Sequence, residues 1–284
     1  MNELLNDPFV QSSALPLALG FALVGVLRVA GGAAVGRRIA VAGIAAAFLA
    51  VFALVIGVPA LPPPSSMGKL FWSAAVGLAL GLATDTVGLR GRAASALVAV
   101  WLSGSLAWIA APAIASAADV ATALILLAVG AWVAFGRLPS RAEGPAAPAA
   151  VLLALALAVG GTALIGSSAS IAQAALALAA ATGGFLLWNW PVERHAWGVS
   201  GQAALGIVVL LAAVLAFFTQ AQAALLLIAL PAVLADHLRR RLPLPETGFG
   251  RAAGTAAMTV IAILPALAAI GAAYLLTGGE ASPY

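Results

Sequence analysis

Glu193 and His195 in "WNWPVERHAWG", with Asp236 and His237 in "DHLRRRLPLP", are the side chains of this sequence whose types suggest chemistry. Two imidazoles and two carboxylates are a plausible donor set for zinc or iron. Neither pair has the i, i+4 histidine spacing that places two ligands on one helix face. The competing reading is four polar side chains in basic interfacial loops, which assigns no metal, no cofactor and no catalytic residue. No P-loop, no G-x-G-x-x-G opening a helix after a strand, no H-E-x-x-H and no G-x-S-x-G occurs.

The remaining candidates are polar groups inside or beside apolar runs, where an ionisable residue is costly and is a functional candidate by default. Asp119 stands at the start of one run, as a helix-capping carboxylate or as a site residue. Arg28 and Asp85 each stand about one turn inside a run, and the expectation is a structural ion pair or a gate between them. Gln173 lies within a run, where an interhelical hydrogen bond competes with a substrate contact. Pro16, Pro231 and Pro265 interrupt apolar runs and are expected to bend them.

The elements that must position these residues are membrane spans. Of 284 residues, 64% are hydrophobic and 8% charged, against about 25% charged in a soluble domain. So few charges do not cover a water-facing surface. A spanning helix needs about 20 apolar residues. Runs of that kind cover about 8–30, 39–58, 69–89, 93–111 and 118–136. Two more lie between 149 and 189, parted at "GSSAS". Two lie between 201 and 235, parted near "TQAQ", and the last covers about 252–277. The expectation is an all-α polytopic membrane bundle of about ten helices, or nine if 201–235 is one long helix. The chain reads as a single transmembrane domain, 1–284. The polar linker "GRLPSRAEGPAAP" divides it into halves 1–140 and 145–284, five spans each, the layout of an inverted repeat.

Charge orients the bundle. The net charge is +4, and Lys69 is the single lysine among 13 basic residues. Arginines 28, 37, 38, 90, 92, 137, 141, 194, 239, 240, 241 and 251 all fall in loops on one side of the ten-span parse; Lys69 falls on the other. Basic residues collect in cytoplasmic loops. The reading is a multi-pass protein of a cell membrane, a bacterial inner membrane by expectation, with both termini outside the cytoplasm. Arginines beside apolar spans point to a lipid bilayer and not to nucleic acid. Trp72 and Trp108 suit the outer interface, and Trp132, Trp188, Trp190 and Trp197 the inner one. Trp101 is mid-span and does not fit such belts. The "WNWPVERHAWG" stretch is expected to lie along the membrane surface. Gly77 and Gly81 form a small-residue face for close helix packing, through which other membrane proteins or a second copy are candidate partners.

Three classes of function follow: a small-molecule permease or flippase-like transporter, a structural or assembly subunit, and a membrane enzyme using the inner His and carboxylate set. Helix number and proline-bent runs favour the first. The absence of cysteine excludes disulfide and thiol chemistry.

Overall fold

The computed structural model describes residues 7, 9–136, 144–243, 245 and 247–277. Among them the protein is helical, with no strand. The helices are α1 (Val10–Ala30, its first turn a π-turn), α2 (Gly32–Ile39), α3 (Ala42–Val55), α4 (Ser66–Val87) and α5 (Arg92–Ala110). There follow α6 (Ala117–Ala131), α7 (Ala146–Ile165), α8 (Ala169–Trp188), α9 (Val199–Phe218), α10 (Ala235–Arg239) and α11 (Gly248–Leu276).

Among the described residues, eight helices are long and apolar enough to cross a membrane. The pair α2 and α3, bent by 57°, makes a ninth if it counts as one span. The tenth expected run behaves differently. The chain breaks after Phe218, as "TQAQ" predicted, but Ala223–Leu234 is a 3₁₀-helix of 12 residues with Pro231 inside it. Runs of 3₁₀ beyond 3–4 residues are uncommon. At about 2.0 Å per residue this one extends roughly 24 Å, and α10 adds roughly 7 Å at 1.5 Å per residue. Together they approach the ~30 Å of a hydrocarbon core.

Contacts fix the two ends of the bundle. At one end Ala221 lies against Gly166, which follows α7. Gln11 and Gln173 share a small gap there with Phe52 and Ile56, and Lys69 donates to the Trp108 carbonyl at 2.8 Å. At the other end Asp236 shares a cavity with Ala146 of α7, Glu193 and Arg251. Residues 221 to 236 therefore run from one end of the bundle to the other. Ala196 donates to the Arg37 carbonyl at the same end as Arg28 and Arg194. We call this the basic end. Arg137 and Arg141 lie outside the described residues.

Burial orders the layers. In α9, 78% of the spanning window is covered by the rest of the chain; in α1 and α6 it is 17%. So α9 is central, packed on α4, α5, α6 and α7, whereas α1 and α6 face outward. Helix α8 packs on α7, α1 and α3, which joins the two halves of the sequence. The Gly77 and Gly81 face is used inside the chain. Both glycines are buried. A Cβ on Gly77 would meet the Trp101 indole, and one on Gly81 would fall 2.6 Å from Ser200 Cα. The face therefore serves close packing within the chain.

Candidate functional site at the basic end

At the basic end two groups of polar side chains stand side by side, one buried in the bundle and one lining a cavity. The buried group forms where α4 meets the start of α9. Asp85 is 4% exposed. Its carboxylate accepts the Val199 and Ser200 amides at 2.8 and 2.9 Å. Gly198, the N-cap residue of α9, supplies no side-chain cap. Asp85 does this from another helix, and it meets the positive end of the α9 dipole. Gly198 is needed there, because a Cβ would occupy the carboxylate's position.

Arg28 does not pair with Asp85. Its guanidinium donates to the Gly32 carbonyl at 2.6 Å, beyond the end of α1, where carbonyls lack helical partners. Backbone amides satisfy Asp85 and a backbone carbonyl satisfies Arg28. The sequence-based expectation of an ion pair is therefore corrected. Among the described residues, ion pairs join Asp236 to Arg239 at 3.7 Å and to Arg240 at 2.9 Å.

The segment between α8 and α9 is non-helical, but it does not lie along a surface as a whole. Trp190 is exposed and donates to the Ala252 carbonyl at 3.1 Å. Asn189, fully buried, turns the chain inward, its Oδ1 accepting the Arg194 and His195 amides at 3.0 Å each. His195 then sits 3% exposed between the rings of Phe185 and Trp188. Burial, then the charges of Arg28, Arg194 and Arg37, lower its pKa to about 4, so it is neutral at neutral pH. Among the described residues its Nδ1 has no hydrogen-bond partner, nor do Trp197 Nε1 and Ser200 Oγ nearby in sequence. Sequence reasoning missed Asn189, Gly198 and Ser200, because two of them act through backbone geometry that no motif records.

The cavity beside this group is about 400 Å³ and is lined by Glu193, Asp236, Arg239, Arg240, Arg251 and Met258, among others. Glu193 and Asp236 thus come together. His195 and His237 do not join them: His195 is sandwiched by rings, and His237 Nε2 lies 3.0 Å from the Arg241 guanidinium. Among the described residues no group of three or more His, Cys, Asp or Glu side chains could hold a metal. The four-residue ligand set read from the sequence is therefore not assembled.

No protein-family model, no curated protein and no solved structure matches the chain.

The other two candidates lie at the opposite end. Asp119 is the third residue of α6 and forms a reciprocal cap with Ser116. Its carboxylate accepts the Ala115 and Ser116 amides at 3.0 and 2.8 Å. Gln173 is in the second turn of α8, nearer the helix end than its run suggested, beside the gap it shares with Gln11.

A second cavity, about 350 Å³, lies within the bundle between α6, α7, α9 and the 3₁₀ segment. Its walls include Val129, Ala158, Val208, Ala212, Ile125 and Leu227. Ile125 and Leu227 are exposed, so the cavity opens sideways between α6 and the 3₁₀ segment. Nearly every lining side chain is apolar. Such a space binds hydrocarbon and rejects ions.

Proposed function

We propose that this multi-pass membrane protein is a flippase-like permease for an amphipathic small molecule, inserted with its basic end in the cytoplasm. The observation that carries the reading is the sideways-opening apolar cavity, one wall of which is the 3₁₀ segment. A substrate with a hydrocarbon part enters such a mouth from the bilayer without crossing water. On this reading the 3₁₀ wall moves by converting to an α-helix. Conversion of 12 residues from 3₁₀ to α shortens a segment by about 6 Å and turns its side chains. Discontinuous spans also form the substrate sites of many transporters.

The test is lipid movement in reconstituted vesicles. Vesicles holding the protein and a fluorophore-tagged phosphatidylglycerol are treated with an impermeant reductant. The protected inner-leaflet signal should be lost faster than in protein-free vesicles. Ala212→Trp, which fills the cavity, should return the rate to the protein-free value. Equal rates with and without wild-type protein would reject the reading. Orientation is tested separately: a reporter active only in the cytoplasm, fused after Tyr284, should be silent, because α11 runs away from the basic end. An active reporter would reverse the insertion.

A further inference from the structure

We infer that the 400 Å³ cavity at the basic end is a binding site for a phosphate group, at the depth where lipid headgroups lie. This stands apart from the transport reading and does not need it.

Three guanidiniums, of Arg239, Arg240 and Arg251, line the space with two carboxylates, Glu193 and Asp236. Asp236 is committed to Arg239 and Arg240. Arg251 is exposed, and its guanidinium has no protein partner among the described residues. The lining therefore has cationic excess, and its uncommitted donor is the residue type whose planar fork matches phosphate oxygens. A cation is disfavoured by the same count.

Depth points to the headgroup region. Arg251 lies in the first turn of α11, a helix of 29 residues whose later turns are apolar. Phe249, at 79% exposure, and Trp190 flank that turn from the outside. Met258, Val192 and Ala146 add apolar side chains to the lining. A phosphate here would have both guanidiniums and hydrocarbon around it, as a lipid phosphate has. The same fork would hold a free phosphate, so the two sources must be told apart by experiment.

Dioleoyl phosphatidate is titrated into the purified full-length protein in detergent and read by native mass spectrometry. Dioleoylglycerol, with the same tails and no phosphate, is the reference. Phosphatidate should be retained and dioleoylglycerol lost. Arg251→Gln should weaken retention about tenfold, the loss of one charge-assisted hydrogen bond. Arg251→Lys, which keeps the charge, should recover part of it. Lys69→Gln removes the same charge at the opposite end and should change nothing. Displacement by inorganic phosphate would identify a site for a free anion; resistance to it would identify a lipid headgroup site. Either result supports phosphate chemistry. Equal retention of the two lipids, or equal effects of Arg251→Gln and Lys69→Gln, would overturn it.

Discussion

Asp85→Ala should destabilise the bundle by about 3–5 kcal/mol, measured as the shift in unfolding midpoint on titration with SDS. The carboxylate is almost fully buried and accepts two backbone amides. Removing it leaves both N–H groups without an acceptor, at about 1–3 kcal/mol each. It also removes the negative charge from the start of a 20-residue helix, worth about 0.3–1 kcal/mol at exposed sites and up to ~2 when buried. Asp85→Asn should recover little. Its carbonyl accepts one amide while its NH₂ group faces the other, donor to donor. Gly198→Ala should be nearly as harmful as Asp85→Ala, because its Cβ claims the same space. A shift under about 1 kcal/mol for Asp85→Ala would mean that water replaces the carboxylate, and the cross-helix cap would lose its standing.

That cap also marks what the sequence concealed. The spans themselves were legible. The run at 93–111 and the first of the two between 149 and 189 match α5 and α7 within a few residues, and of the two readings open for 201–235 the structure takes the one that breaks near "TQAQ", at the end of α9. Arg37, Arg239, Arg240 and Arg251 gather at the end away from Lys69, where their loops in the sequence put them. Asp85 was visible as a buried carboxylate, but its partners are peptide amides, which carry no residue signature. An arginine therefore looked like the natural partner. Residues 223–234, "AALLLIALPAVL", have the composition of an α-helical span. Whether such a run closes 13-atom or tighter rings is decided by its neighbours, here α7 and α11. The histidines followed the same rule. Their spacing showed that no single helix would present them together, but only the fold sends His195 inward and His237 to Arg241.

Trp101 shows why a residue that fits no belt can still be required. Its indole is 7% exposed and donates to the Ser73 carbonyl of α4 at 2.9 Å. Two glycines make its slot, Gly77 on α4 and Gly206 on α9; added Cβ atoms would fall 2.8 Å from its Cε2 and Cη2 respectively. Three helices thus meet on one ring, where lipid supplies no hydrophobic force to hold them together and close contact must do so. Trp101→Ala should cost about 3–5 kcal/mol, the range for emptying a large aromatic site. Gly77→Ala should cost about 1–3 kcal/mol through overpacking. The two effects must not add, because the added methyl collides with atoms that the truncation removes. In a Trp101→Leu background Gly77→Ala should be close to neutral, giving a coupling of about 1–3 kcal/mol in a double-mutant cycle. SDS unfolding of the four proteins measures it directly. Simple additivity would mean that α4 and α9 shift apart to admit the methyl, and that the slot is soft instead of the fixed junction on which the α4, α5 and α9 contacts depend.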